Sequence, residues 1–168
     1  MKLLHNLKRI DDPRPQVRSN YNAPEEIEDI KEPISFDGIY YNVYENRELL
    51  KGKDVILFVM GDWVGLDNST LDPEFPVEDY CTWDEIMEMA KDGAKIGWHT
   101  WSHPDLTKLS YEEILKEVTP PFPMDYFAYP YGKYNADVIR AVKEAGFKKA
   151  WSVTQGNDND FTLRRDYL

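Results

Sequence analysis

The chain has 168 residues, 42% of them hydrophobic and 14% aromatic, and its 31 acidic and 20 basic side chains give a formal net charge of −11. This aromatic content excludes a disordered chain, and the acidic surplus opposes binding to nucleic acid or to an anionic membrane surface, which both need a basic face. The length is typical of one domain with a real core. We therefore expect a single domain over residues 1–168, with an N-terminal arm (1–33) and a core (34–168).

Compartment and membrane association follow from what the chain lacks. Cys81 is the only cysteine, so no intrachain disulfide can form and nothing indicates an oxidising compartment. The first residues contain no apolar segment of the kind found in secretory signals, and no apolar run reaches the length of a membrane span. The sequence thus predicts a cytoplasmic protein without membrane insertion, and it leaves the oligomeric state open.

The N-terminal arm is charged and punctuated by prolines, and we expect one short strand in it, at Leu3–Ile10. Asp11 and Asp12 follow this strand and precede Pro13. Two adjacent carboxylates can serve catalysis, but an Asp-Asp-Pro sequence is more typical of a turn.

Strand and helix patterns alternate through the rest of the chain. Val55–Met60 is a continuous apolar run typical of a strand buried on both faces. Capping patterns open helices at Thr82, Ser110 and Asn135. The other predicted strands are 34–36, 95–98, 126–129 and 147–153, and Ile39–Tyr44 is also β-branched and aromatic. This alternation predicts an α/β fold with a largely parallel sheet, either open or curled into a partial barrel.

Two of the three histidines, His99 and His103, are four residues apart between Gly97 and Pro104. The proline pushes His103 towards an extended conformation, so a strand running into a rigid turn fits better than a helix. Two imidazoles on one turn are a good start for a zinc-type site, which usually needs a third protein ligand. Two partly buried, hydrogen-bonded histidines are the alternative interpretation.

The loops that follow the predicted strands favour the metal interpretation. In parallel α/β folds, the functional site lies at the carboxyl ends of the strands. Four such ends carry chemically capable residues, namely Asp37, the Asp62–Asp67 region at the start of a long polar segment (62–80), His99 with His103, and the segment 130–132.

Several motifs together resemble the polysaccharide deacetylase family (NodB-homology domains, carbohydrate esterase family 4). His99–Pro104 is similar to the family's metal-binding His-Ser/Thr-x-x-His-Pro motif, and Val55–Gly61 to its second barrel strand. Phe127–Gly132 resembles the third motif, and Leu163–Arg165 resembles the end of the domain. The resemblance runs in order from about residue 34 to 165. It implies a deformed (β/α) barrel, complete or incomplete, and hydrolysis of an acetyl or formyl group on an amino sugar or related carbohydrate.

The resemblance also implies a set of site residues. Family members hold a divalent metal with one Asp and two His, and a second Asp acts as base; zinc is the metal expected in this chain. Here His99 and His103 match the two histidines, and Asp37 is the candidate base or third ligand. By motif position, the backbone N–H of Tyr131 would hold the oxyanion.

The first of three departures from the family pattern concerns the carboxylates. The family's first motif has two adjacent Asp, whereas here Asp37 falls on the base position and Gly38 on the ligand position. Either Asp37 moves onto the metal or another carboxylate completes the site, with Asp37 favoured; the other candidates are Asp11, Asp12, Asp62, Asp67 and Asp72.

The other two departures concern groups that support the reaction. The family's late histidine, its general acid, has no counterpart, because His5 is the only remaining histidine and lies at the other end of the chain. Ala128 stands where many members have an arginine that orients the base, and Arg164 or Arg165 could replace it. These losses, together with the aromatic content, motivate a second hypothesis, a carbohydrate-binding or scaffold module on a degenerate deacetylase fold.

Overall fold

The structure is a computed structural model, and it describes residues 1–4, 6–7, 21–22, 24–69, 77–153 and 156–167. Three of the alternative carboxylates, Asp11, Asp12 and Asp72, lie outside the described residues. None of the described helices is long and apolar enough to cross a membrane.

Strands and helices alternate along the described chain. The helices are α1 Pro24–Glu28, α2 Tyr41–Glu45, α3 Trp83–Lys91, α4 Tyr111–Val118 and α5 Ala136–Glu144. Short 3-10 turns cover Arg47–Leu50, Gly61–Trp63, Leu106–Lys108 and Pro130–Gly132. The strands are β1 Lys2–Leu4, β2 Asn6–Leu7, β3 Tyr21–Asn22, β4 Ile34–Asp37, β5 Val55–Val59, β6 Lys95–Trp98, β7 Tyr126–Ala128, β8 Lys149–Ser152, β9 Leu163–Arg164 and β10 Asp166–Tyr167.

Eight strands form one parallel sheet in the order β10-β1-β4-β5-β6-β7-β8-β9. The two outermost strands, β9 and β10, are consecutive in the chain and are separated only by Arg165. Since β9 pairs with β8 and β10 pairs with β1, the C-terminal segment joins the two edges of the sheet. The result is a nearly closed parallel barrel, and the predicted (β/α) barrel is confirmed.

The period-two alternation of β5 separates the apolar residues into two clusters. Leu57 and Val59 belong to the main cluster, which also contains the buried faces of α3, α4 and α5. Ile56 and Phe58 point to the other face, where they pack with Ala128 and Trp151. The second cluster is therefore the packed interior of the barrel, next to which the site is built.

The helix starts predicted at Thr82, Ser110 and Asn135 are confirmed. Thr82 and Ser110 form complete capping boxes, with the N3 glutamate bonded back to the cap N–H, and the Asn135 side chain accepts from the N–H of Val138. Each cap satisfies backbone donors that the helix itself leaves open.

The structure differs from the sequence-based prediction at both ends and after β4. Of the strand expected at Leu3–Ile10, the described residues form Lys2–Leu4, which belongs to the main sheet, and Asn6–Leu7, which does not; residues 5 and 8–10 lie outside the described residues. The β-branched and aromatic stretch after Gly38 contains helix α2, because the burial of Asn42 and Val43 in this helix outweighs the β propensity of the stretch, which depends strongly on context. The strand expected to be the last, Phe147–Val153, is shorter and is followed by β9 and β10.

Candidate active site

The carboxyl ends of neighbouring strands bring the predicted site residues together. Asp37 is the last residue of β4, His99 follows β6 directly, and Tyr131 lies in the turn after β7. The Nε2 atom of His99 is 3.5 Å from Oδ2 of Asp37. The ring centres of His99 and His103 are 4.8 Å apart, and those of His103 and Tyr131 are 4.7 Å apart. The four residues therefore form one continuous cluster at the mouth of the barrel.

His99 is buried and its ring is oriented by the backbone of β7. Its Nδ1 lies 2.7 Å from the carbonyl oxygen of Ala128. A carbonyl can only accept, so Nδ1 carries a hydrogen, and in the neutral imidazole the Nε2 lone pair faces Asp37. A backbone carbonyl on one ring nitrogen is the usual way to set the tautomer of a ligating or proton-accepting histidine.

Asp37 forms a buried bidentate ion pair with Arg165. Nη1 of Arg165 donates to Oδ1 at 2.5 Å and Nη2 donates to Oδ2 at 2.8 Å. Nη1 also lies 3.1 Å from the hydroxyl of Ser35, and the guanidinium is 5.1 Å from the ring centre of Phe58. Only 8% of Asp37 and 1% of Arg165 are exposed, so this fork-to-fork pair fixes the carboxylate in its ionised form and in one orientation.

The source of this arginine is the closure of the barrel. Arg165 is the single residue between β9 and β10, and its N–H donates to the carbonyl of Ser152 in β8. Arg164, the other candidate, is exposed and pairs with Asp166 instead. Ala128 is buried in the barrel interior. The guanidinium that reaches Asp37 therefore comes from the C-terminal segment.

The loop after β6 (residues 99–105), here called the histidine loop, and the turn after β7 both have a constrained backbone. Thr100, His103 and Tyr131 have φ values of 73°, 59° and 57°, and they are the only non-glycine residues in the described chain with left-handed φ. This conformation is unusual for any L-residue and especially for β-branched Thr. Each such residue costs about 1–3 kcal/mol and persists only where surrounding contacts hold it.

Glu117 in α4 is one of the groups that hold the histidine loop. Its Oε2 accepts from the N–H groups of Trp101 and Ser102, each at 3.0 Å, and its Oε1 accepts from the Ser102 hydroxyl at 2.7 Å. The N–H of His103 donates to the hydroxyl of Thr100. The sequence analysis missed Glu117, because nothing in a helix with several glutamates distinguishes the one that turns towards the loop.

The turn at Tyr131 is held against β8 and against the histidine loop. The carbonyl of Gly132 accepts from the Ser152 hydroxyl at 2.6 Å. Lys133 forms a 2.7 Å ion pair with Asp105, and this pair is the main reason why the pKa of Asp105 is lowered to about 2. Tyr131 itself is 59% exposed, and among the described residues its N–H donates no backbone hydrogen bond. This N–H is available to a ligand at the mouth of the barrel.

The described residues do not fit a metal held by three protein ligands. Asp62 is exposed, and Asp67 accepts from the N–H of Ser69 in its own turn. Asp37 is in the ion pair with Arg165. Within the ranges that the structure describes, no group of three or more His, Cys, Asp or Glu is arranged to hold a metal ion. His99 and His103 lie together, and Asp37, the carboxylate next to His99, is engaged by Arg165.

Comparison with known families gives one match that spans most of the chain. Residues 34–150 match the family model described as polysaccharide deacetylase. A 30.6 kDa protein of Geobacillus stearothermophilus, named only as uncharacterized, is 32% identical over 89 residues, covering 51% of this chain and 28% of that protein. The peptidoglycan-N-acetylmuramic acid deacetylase PdaC of Bacillus subtilis is 48% identical over 33 residues, covering 20% of this chain and 7% of that protein. The matched regions are thus less than a third of either relative's own length.

A solved structure matches along nearly the whole chain. The deacetylase PplD of Streptococcus pyogenes, determined in complex with acetate, superposes with a TM-score of 0.78 at 15% identity. The match covers 99% of this chain and 90% of that one. At this identity the likeness establishes the shared fold.

Proposed function

The chain belongs to the polysaccharide deacetylase family, and from this premise we propose that it removes an acetyl group, or the smaller formyl group, from the nitrogen of an amino sugar by hydrolysis. The short match to PdaC, named as a peptidoglycan-N-acetylmuramic acid deacetylase, supports an N-acetylated sugar as substrate. The observation that carries the proposal is the buried Asp37 carboxylate, held by Arg165 and 3.5 Å from His99 at the barrel mouth.

The ion pair supports a chemical role for Asp37. A buried ion pair contributes little net stability, because desolvation of the two charges offsets most of their attraction. The Nε atom of Arg165 is also buried without a hydrogen-bond partner, which adds a further cost. An apolar pair would fill the same space at lower cost, so an oriented and ionised carboxylate in this position is explained better by catalysis than by packing.

In the proposed reaction, Asp37 is the general base. It accepts a proton from a water molecule whose oxygen forms a bond to the acetyl carbon. The N–H of Tyr131 donates to the oxyanion that develops on the acetyl oxygen. The proton taken up by Asp37 passes to the sugar nitrogen as the C–N bond breaks, so the sugar leaves as the amine. The acyl group leaves as acetic acid, which loses the second proton of the water to become acetate.

In this scheme Asp37 also gives the proton to the leaving nitrogen, which is the role of general acid that the late histidine has in the family. His99 and His103 are the two histidines at the site, and Nε2 of His99 faces the same carboxylate oxygen that Nη2 of Arg165 contacts. We propose that the imidazole of His99, which lies close to Asp37, holds the carboxyl group in place while Asp37 carries the proton.

Metal dependence is a separate part of the proposal. The family is generally metal-dependent, and His99 with His103 correspond to its histidine ligands. Because the described residues do not complete a three-ligand set, the steps above are assigned to side chains and backbone alone.

The direct test is release of acetate or formate from N-acylated amino sugars, both as free oligomers and as nucleotide-linked or lipid-linked monomers. We expect Asp37→Asn to lower the rate about 10²–10⁴-fold, the usual contribution of a general base. Arg164→Ala, at the exposed neighbour of Arg165, is the matched control and should leave the rate unchanged. Equal rates for wild type and Asp37→Asn would contradict the assignment of the base.

A second candidate function is a carbohydrate-binding module on the same fold. It is favoured by the 59% exposed side chain of Tyr131 at the mouth of the barrel, where the ring can stack on a sugar. Saturable binding of glycan without any acid release, weakened by Tyr131→Ala, would support this function over hydrolysis.

A further inference from the structure

Two strained residues face each other across the mouth of the barrel. His103 in the histidine loop has a φ of 59°, and Tyr131 in the turn after β7 has a φ of 57°. Their ring centres are 4.7 Å apart, with an angle of 61° between the ring planes. Such backbone conformations persist only where the surrounding structure holds them, and they are concentrated at functional sites. The contacts that hold these two residues together therefore bear on the geometry of the site.

An ion pair joins the two segments at the same distance along the chain from each strained residue. Asp105 lies two positions after His103, and Lys133 lies two positions after Tyr131. Nζ of Lys133 is 2.7 Å from Oδ2 of Asp105, and it is 5.7 Å from the ring centre of Tyr131. The four residues thus form a closed ring of contacts, with the chain from residue 103 to residue 105 as its fourth side.

The Asp105 carboxylate is a fixed acceptor for this lysine. Its Oδ1 accepts from the N–H of Thr107 at 3.2 Å and from the hydroxyl of Thr107 at 2.6 Å. The side chain of Asp105 is 13% exposed and that of Lys133 is 50% exposed. A second cation, Lys108, lies 3.7 Å from Oδ2, but its side chain is 77% exposed and comes from the same stretch of chain as Asp105. Lys133 is therefore the partner that brings the turn after β7 to the carboxylate.

The two segments also have supports of their own. Glu117 of α4 accepts from two N–H groups of the histidine loop, and the Ser152 hydroxyl of β8 donates to the carbonyl of Gly132. These bonds attach each segment to its neighbouring element, whereas the ion pair runs from one segment to the other. A pair with a half-exposed lysine adds little net stability. We therefore expect its main effect to be on the relative position of the two segments.

We propose that Asp105 and Lys133 are positioning residues, and that their ion pair sets the position of the Tyr131 N–H relative to the histidine loop. The inference rests on the proposed function and deepens it, because that N–H is the proposed oxyanion donor. The donor and the base must reach the same acyl group, and a misplacement of about 1 Å can lower a rate about 10²-fold. Loss of the pair should lower kcat and leave KM nearly unchanged, since the oxyanion develops only in the transition state.

The kinetic test compares two replacements of Lys133 on the N-acylated amino sugar that the wild type hydrolyses. Lys133→Met keeps the length of the side chain without its charge, and we expect kcat to fall about 10–100-fold with KM within about twofold of wild type. Lys133→Arg keeps a cation and should recover most of the loss. Lys108→Met, at the other cation near Asp105, is the matched control and should leave kcat unchanged. Asp105→Asn should lower kcat no further in the Lys133→Met background, because the two residues act as a unit.

A measurement without substrate separates this inference from the proposed function. We expect nuclear Overhauser effects between the rings of His103 and Tyr131 in the wild type, because the ring centres are 4.7 Å apart. They should weaken in Lys133→Met and return in Lys133→Arg. Effects of wild-type strength in Lys133→Met would overturn the inference, and so would weakened effects with an unchanged kcat. If the wild type releases no acid from any N-acylated amino sugar, the proposed function fails, and the ring contacts alone then decide whether the pair positions the two segments.

Discussion

Replacement of Arg165 by Met tests whether the buried ion pair with Asp37 organises the site. Methionine has a similar length and is apolar, so the barrel interior stays filled while the charge is removed. The Asp37 carboxylate, only 8% exposed, then loses the guanidinium that contacts both of its oxygens. An uncompensated buried charge of this kind costs about 3–5 kcal/mol.

The loss is large against total stability. Native domains are stable by about 5–15 kcal/mol, and for a chain of this size 1 kcal/mol shifts the melting temperature by about 2–4 °C. We therefore expect Arg165→Met to melt about 6–20 °C below wild type. This figure measures the cost of leaving the Asp37 carboxylate buried without its partner, and not the net contribution of the ion pair to stability.

A second substitution separates this explanation from a simple packing defect. Asp37→Asn in the Arg165→Met background removes the stranded charge and should recover at least about 1 kcal/mol, as coupled neighbours do. Arg164→Met, which breaks only the exposed pair with Asp166, should cost less than about 1 kcal/mol. Urea unfolding at neutral pH, followed by circular dichroism, measures all four proteins. A free energy of unfolding for Arg165→Met within about 0.5 kcal/mol of wild type, or no recovery in the double variant, would refute the reasoning.

Three further predictions concern the surroundings of the site. Glu117→Ala removes the acceptor for the Ser102 hydroxyl and for two N–H groups of the histidine loop. We expect it to lower the free energy of unfolding in urea by about 1–3 kcal/mol, and a decrease below about 0.3 kcal/mol would show that the loop is held without Glu117. The ion pair with Lys133 holds the pKa of Asp105 at about 2, below its ordinary 3.8, so the stabilisation that it provides is present above pH 3.8 and is lost as the pH falls through about 2. The stability difference between wild type and Asp105→Asn should accordingly shrink over that window, and a difference independent of pH would contradict the pair. Burial raises the pKa of Cys81 to about 12, so at pH 8 its thiol should react with a disulfide reagent far more slowly in the folded chain than in urea, whereas equal rates would mean that the thiol is accessible.

The features predicted from the sequence are those determined by neighbouring residues. The helix caps at Thr82 and Ser110 depend on a glutamate three residues away, and the histidine turn depends on His99, His103 and Pro104 within six positions. The parallel alternation of strands and helices then locates Asp37 at the same edge of the sheet as the histidines. Local patterns were therefore enough for the fold class and for the residues that meet at the mouth.

The supporting groups were not predictable in the same way, because distant parts of the chain supply them. Arg165 is separated from Asp37 by 128 positions and reaches it only because the tail joins both edges of the sheet. The sequence analysis left Arg164 and Arg165 equivalent, and the strand register decides between them. At Gly38 the absence of a second carboxylate was visible in the sequence, but the closeness of this position to Met60 depends on how the segments after β4 and β5 pack.

The origin of Arg165 links catalysis in the proposed enzyme to closure of the barrel. The strands on either side of this residue pair with β8 and with β1, so its backbone is fixed only when both edges of the sheet are joined. Its guanidinium then orients Asp37 in β4, next to β1 in the sheet. An arginine at position 128 would lie within a strand that is already paired on both sides and would not depend on the tail. In this chain Asp37 acquires Arg165 as its partner only when β9 and β10 are in place. We therefore expect any change that detaches this C-terminal segment to lower the catalytic rate before the rest of the barrel unfolds.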